Sequence, residues 1–356
     1  MTRGQAWPLV PQPYPPRMPF LWPDVLGPLA AGEDLDESVA HAAMTEIMEG
    51  RADPTQIAAF IVALRTKGET VDEMVGMVSA MYDAAVTVEL SVRAVDTAGT
   101  GGDRSGTFNV STAAALIAAG AGARVAKHGN RAASSQAGSA DVLEALGVRI
   151  DLGPEATAAL VDEVGFGFFF APRYHPAMRF AAPVRAALGI PTVFNVLGPL
   201  ANPARAPYRV VGVADGRMAM RMAGVLLRLG CERAFVVHGE GGLDEVSLSG
   251  PTRVLRLDSG TVTEEVFEPE SIDLARAPLA AVVGGDAGEN ARQIRAVLGG
   301  EAGARRDIAV ANAAFALVAA GVADDFEDAA RAAEHAIDSG GAAAVLDALV
   351  DASASL

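Results

Sequence analysis

The chain has 356 residues, 51% of them hydrophobic, with a formal charge of −16 and a pI of about 4.7. That length supports two modest domains or one large α/β unit with a substantial core, and the acidic balance argues against a nucleic-acid partner, whose phosphates call for clustered Lys and Arg. A single cysteine, Cys231, rules out an intrachain disulfide and a multi-cysteine zinc site, and with no signal peptide or bilayer-length apolar run to be read, the expectation is a cytoplasmic protein without a membrane partner.

Seven prolines fall within the first 23 residues, among Trp7, Tyr14, Phe20 and Trp22, and predict a poorly ordered or extended tail over 1–23. Helical periodicity follows at 38–48, 55–64 and 71–84, with Asp53-Pro54 as a start signal and Asp36 and Glu37 suited to a helix N-terminus. After Arg93 short strands alternate with helices, a βαβ pattern that predicts a largely parallel sheet. The candidate strands are 94–97, 124–126, 167–171, 210–213 and 234–237; the helices are 110–119, 140–146, 154–164, 217–229 and several after Asp286. The stretch 252–267 alternates around Asp258-Ser259-Gly260 and reads as a hairpin. The fold class is therefore α/β, with a small all-helical domain over 24–90 and a larger domain over 91–356 built on a mostly parallel central sheet.

Three loops carry the chemistry. Asp96-Thr97-Ala98-Gly99-Thr100-Gly101-Gly102-Asp103 ends a strand and runs through Gly106-Thr107-Phe108-Asn109-Val110-Ser111-Thr112 into a helix. Glycines let backbone N–H groups approach an anion, and the helix start adds unpaired N–H groups and a positive dipole end. It is not a Walker loop, because Thr107 stands where Lys is required, nor a dinucleotide fingerprint, because Arg104 replaces the third glycine. Taken alone it is equally a tight turn with Asn109 as a helix cap. The second loop, Lys127-His128-Gly129-Asn130-Arg131-Ala132-Ala133-Ser134-Ser135, concentrates polar and cationic groups that are costly to bury without a ligand. Lys127 and Lys67 are the only lysines beside 26 arginines, so a compact ammonium is singled out there. The third, Gly241-Gly242-Leu243-Asp244-Glu245, places two carboxylates on a loop after a strand, a pattern suited to Mg²⁺ or a solvated turn. All three lie at the C-terminal ends of strands, where open α/β sheets bind ligands, so one shared site is expected. A further segment, Ala171 to Arg179 and on to Arg185, reads by itself as a helix with exposed arginines; His175 and Cys231 read as structural.

Together these residues resemble the anthranilate phosphoribosyltransferase family, from about residue 24 to the C-terminus. The resemblance rests on Gly99 to Asp103, Asn109 to Thr112, Lys127 to Ser135, Gly138-Ser139-Ala140-Asp141, His175 to Arg179, Phe194 to Pro203 and Leu243-Asp244-Glu245. It implies an enzyme of tryptophan biosynthesis that moves the phosphoribosyl group of 5-phosphoribosyl 1-diphosphate onto anthranilate. By resemblance, the phosphoribosyl diphosphate would be bound by Gly99, Gly102, Asp103, Thr107, Asn109, Val110, Ser111, Thr112, Lys127, His128, Gly129, Asn130, Arg131, Ala132, Ala133, Ser134, Ser135 and Ser139. Gly99, Asn130 and Arg185 would bind anthranilate, and Ser111, Asp244 and Glu245 would hold Mg²⁺, two ions per subunit. No acid–base residue is implied. The resemblance also returns about 175–195 to the helical domain and implies a homodimer formed through that domain. Pyrimidine nucleoside phosphorylase, on a similar fold, is the nearest rival; the run Asn130 to Ser135 does not fit its pattern.

Overall fold

A computed structural model describes residues 20–132 and 136–356. Most of the predicted tail, and Ala133, Ser134 and Ser135 of the second loop, lie outside the described residues. The tail was expected to reach residue 23, but Trp22 and Pro23 open a helix, α1 (Trp22–Ala30), in which Pro suits the first turn and Trp22 packs against Phe60. Then come α2 (Glu37–Met48), α3 (Pro54–Lys67) and α4 (Val71–Asp83). Asp53 and Thr70 close capping boxes on α3 and α4. Helices α2 and α4 touch backbone to backbone at Gly76, where a Cβ would lie 2.2 Å from the Glu37 carbonyl oxygen.

The remaining chain forms β1 (Val95–Gly99), α5 (Val110–Gly120), β2 (Val125–Gly129), α6 (Ser139–Ala145), α7 (Pro154–Glu163), β3 (Phe166–Phe170), α8 (Ala171–Tyr174), α9 (Ala182–Leu188), α10 (Val193–Leu197), β4 (Tyr208–Gly212), α11 (Gly216–Arg228), β5 (Arg233–Gly239), β6 (Thr252–Asp258), β7 (Thr261–Phe267), α12 (Ala287–Leu298), α13 (Ala304–Ala320), α14 (Phe326–Asp338) and α15 (Gly341–Ser355). The sheet order is β3-β2-β1-β4-β5-β6-β7. Strands β1 to β5 pair in parallel, and the predicted hairpin β6–β7 adds two antiparallel strands.

Strand alternation splits the core. Val210, Phe235, Val237 and Val254 face α5, α13 and α14, while Val211, Ala234, Val236 and Leu255 face α11. The second face is continuous with the interior of α1 to α4, and Ala177, Ala181, Val184, Val193, Phe194 and Leu197 join that same cluster. The middle of the chain thus comes back to pack on the helical bundle.

Candidate active site

The order reverses between β1 and β4, so their C-terminal ends open a crevice at a topological switch point. Gly99 and Gly212 are register partners at that edge. A Cβ on Gly212 would lie 1.6 Å from the Asp244 carbonyl oxygen, and one on Gly99 would lie 2.4 Å from Asp244 Oδ2. The glycines therefore make room for the third loop to fold across both strand ends. The Gly101 N–H donates to Asp244 Oδ2 at 2.7 Å, and the Ser111 N–H donates to Glu245 Oε1 at 3.1 Å. The first and third loops, some 140 residues apart, meet as expected.

Lys127 departs from the sequence reading. It was placed on a loop, yet β2 continues through Lys127, His128 and Gly129 before the chain turns. Lys127 is 1% exposed. Its Nζ donates to the Thr97 carbonyl (2.6 Å), to Thr97 Oγ1 (3.2 Å) and to Ser111 Oγ (3.2 Å). Burial lowers its pKa, opposed by the nearby charges of Asp96 and Glu245. The His128 N–H donates to Asp96 Oδ1 (3.0 Å), and Asp96 in turn meets Arg209 in a buried pair (3.4 Å). Burial first, then His175, holds His128 well below the usual histidine range.

Asp244 and Glu245 are open only in part, toward the cavity they line. Burial and the neighbouring charge of Asp103 push the Asp244 carboxyl up to about 7, and burial together with Asp244 raises Glu245 well above the carboxylate range. Asp103 Oδ2 is itself buried without a hydrogen-bond partner among the described residues. Crowded carboxylates with an orphaned oxygen are the mark of a place that a hard cation would relieve. The donors Ser111 Oγ, Asp103, Asp244 and Glu245 are all oxygens. Among the described residues no three His, Cys, Asp or Glu side chains form a ready metal cage, so a cation here would need oxygens from a ligand as well, the usual habit of Mg²⁺ with phosphates.

Asn109 precedes α5 but its side chain does not cap the helix. Its carboxamide instead donates to the Ala137 carbonyl (3.2 Å) and accepts from Asn290 Nδ2 (2.9 Å). Arg131 is engaged by Asp141 and Glu144, and Asp141 also receives the N–H groups of Ala132 and Gly138 at 2.9 Å. Gly129 abuts Ser139, whose Oγ would be 2.2 Å from an added Cβ.

One cavity of about 610 Å³ joins these loops to α9 and α10. It is lined by Gly99, Gly102, Asp103, Thr107, Asn109, Val110, Ser111, Lys127 to Ala132, Ser139, Arg185, Asp244 and Glu245. Thr112 is fully buried in α5 and is absent from the lining. The expectation of a helix with exposed arginines is modified for Arg185, which is half-buried, has no acidic partner among the described residues, and lies 5.2 Å from the centre of the Phe194 ring. Burial lowers its pKa. Pro172, Met178, Ala182 and Phe194 supply an apolar wall on that side, beside His175 whose Nε2 meets the Ala201 carbonyl, a role the sequence reading did not give them. The signals were their proximity to Arg185 and, for His175, Met178 and Phe194, membership of segments that carry the family resemblance.

A family model described as a glycosyl transferase helical bundle domain matches residues 23–85, and one described as a glycosyl transferase a/b domain matches 91–343. An anthranilate phosphoribosyltransferase from Moorella thermoacetica is 53% identical over 323 residues, covering 90% of this chain and 95% of the relative. The chain belongs to the anthranilate phosphoribosyltransferase family. The family enzyme from Thermomicrobium roseum is 54% identical, over 89% of this chain and 93% of its own. The crystal structure of the Thermus thermophilus enzyme superposes with a TM-score of 0.88 at 44% identity, covering 93% of this chain and 99% of that one. A Saccharomyces cerevisiae member, solved in complex with PRPP and Mg, superposes at 0.86 with 29% identity, covering 94% and 98%. The yeast enzyme has also been solved with 4-fluoroanthranilate, at 0.85 and 28% identity over the same shares.

Proposed function

We propose that this protein transfers the phosphoribosyl group of 5-phosphoribosyl 1-diphosphate to the amine of anthranilate, releasing pyrophosphate, as the anthranilate phosphoribosyltransferase step of tryptophan biosynthesis. One observation carries the reading. A single cavity has the Arg185 guanidinium, without an acidic partner among the described residues, beside an apolar wall at one end, and glycine backbone with a carboxylate pair at the other. The first end suits a flat aromatic acid and the second a phosphorylated sugar.

Ser111, Asp244 and Glu245, with Asp103 beside them, would hold Mg²⁺, two ions per subunit as in the resemblance. Bound there, the metal supplies positive charge to the departing diphosphate. The chain's own residues do the rest. The backbone of Gly101, Gly102, Asp103, Gly106 and Thr107 lines the cavity where negative charge would accumulate, its shape held by the Gly101 N–H on Asp244 and the Ser105 N–H on Asp103, and the buried Lys127 adds a cation beneath Ser111. The C1–O bond to the diphosphate breaks with its electron pair leaving, the N–C1 bond forms, and the amine sheds one proton. An aniline nitrogen needs no prior deprotonation, so positioning by Arg185 and Asn130 outweighs a general base. A homodimer formed through the helical bundle belongs to the same proposal.

The test is the loss of anthranilate fluorescence with 5-phosphoribosyl 1-diphosphate and Mg²⁺. Wild-type protein without this activity overturns the function. Arg185→Ala should raise the KM for anthranilate about tenfold or more, as expected for a lost charged hydrogen-bond pair, with little change for the sugar diphosphate. Equal changes in both would remove Arg185 from carboxylate recognition.

A further inference from the structure

Asn290 lies on α12, far in sequence from all three loops, and is 2% exposed. Its Oδ1 accepts the Gly285 N–H at 2.7 Å, and its Nδ2 donates to Asn109 Oδ1 at 2.9 Å. Asn109 Nδ2 then donates to the Ala137 carbonyl at 3.2 Å. A carboxamide's oxygen and nitrogen can exchange places, so the direction of such a chain has to come from its ends. Here both ends are backbone groups of fixed sense: an N–H at Gly285 and a C=O at Ala137. The relay can therefore run only one way. It holds Asn109 with its oxygen turned to α12 and its NH₂ turned to the loops, leaving one N–H of Asn109 for the cavity it lines.

The surroundings give this relay a firm base. Residues 282–284 run beside the first loop, with Phe108 N–H donating to Val282 (3.0 Å), Gly284 N–H to Gly106 (2.9 Å), and a bridge between Thr107 and Val283. A Cβ on Gly284 would lie 2.5 Å from Asn290 Oδ1 and 2.6 Å from Phe108 Cα. Only glycine lets the segment, Asn290 and the loop approach this closely.

We infer that Asn290 is a positioning residue for the phosphoribosyl diphosphate site, fixing the carboxamide of Asn109 as a donor into the cavity and tying the first loop and the Ala137 segment that follows the second loop to α12. This rests on the function proposed above. It acts through Asn109 and touches no reacting atom.

The experiment is a double-mutant cycle of Asn290→Ala and Asn109→Ala, read by calorimetric binding of 5-phosphoribosyl 1-diphosphate with Mg²⁺, by the KM for anthranilate, and by thermal unfolding. Each single variant is expected to weaken the sugar diphosphate about tenfold. The double variant should be no weaker than Asn109→Ala alone, and the anthranilate KM should stay near wild type. Unchanged binding in Asn290→Ala, or losses that simply multiply, would overturn the role. Should Asn290→Ala fail to fold, Asn290→Ser decides in its place, since its hydroxyl is too short to reach Asn109: weakened binding supports the role and wild-type binding overturns it. Wild-type protein that binds no sugar diphosphate would instead defeat the proposed function.

Discussion

A carboxyl group walled in by protein and set beside another acid ionises late, and Asp244, raised to about 7, is such a group. Between about pH 4 and pH 7 the folded metal-free protein keeps a proton there that the unfolded chain has already released. Asp244 therefore makes the metal-free protein less stable as pH rises through that window, by at most about 1.4 kcal/mol per pH unit. Asp244→Asn should flatten this slope, which urea unfolding at pH 5 and pH 8 without metal would reveal; identical slopes in the two proteins would contradict it. The pair of acids was readable as a sequence motif. Their suppressed ionisation was not, because it depends on Asp103 and on burial beneath a loop some 140 residues upstream.

At the scale of elements, the close approach of α2 and α4 depends on one missing methyl group. Gly76→Ala would press a Cβ into the Glu37 carbonyl, which is backbone and cannot swing away. Overpacking of this kind costs about 1–3 kcal/mol, so a fall in the denaturation midpoint is expected with little change in KM for either substrate. Unaltered stability would mean that the helices can separate freely. The elements with strong periodicity, such as α2 to α4 and α11, were legible because one apolar stripe or a cap defined each. Those around Arg185 were harder to read: Pro183, Gly189 and Pro191 punctuate α9 and α10 into pieces too short for a period. Strand β2 appeared to stop at Ala126 because Lys-His-Gly looks like a loop. What extends it is parallel pairing of Lys127, His128 and Gly129 with Phe168, Phe169 and Phe170 of β3, while three acceptors from β1 and α5 satisfy the buried Lys127 Nζ.

Across the whole molecule, the helical bundle and one face of the sheet share a single apolar interior, with α11 in the middle. The faces of α9, α10 and α11 that pack on α3 and α4 would lose their cover if the chain were cut at residue 90. A fragment spanning 91–356 should therefore aggregate or bind a hydrophobic dye, even though it contains the whole sheet. Size-exclusion chromatography of that fragment checks this, and a stable dispersed fragment would refute it. The two-part plan of a helical unit followed by an α/β unit could be read along the chain. The crossing of residues 177–201 back to the bundle, which carries Arg185 with it, was implied only by the family resemblance; no periodicity or composition in the chain pointed to it.

Both lysines of the protein are tucked away. Lys67 is held between Asp34 and Glu73 in the bundle, and Lys127 lies under the sheet edge. Arginines do not compete for ordinary amine-acylating reagents, so these two side chains act as separate clocks. Acylation at Lys67 times release of its ion pairs with Asp34 and Glu73, and acylation at Lys127 times opening of the strand ends beneath the cavity. The composition has thus installed a pair of kinetic reporters, one on each side of the molecule, without any engineered label.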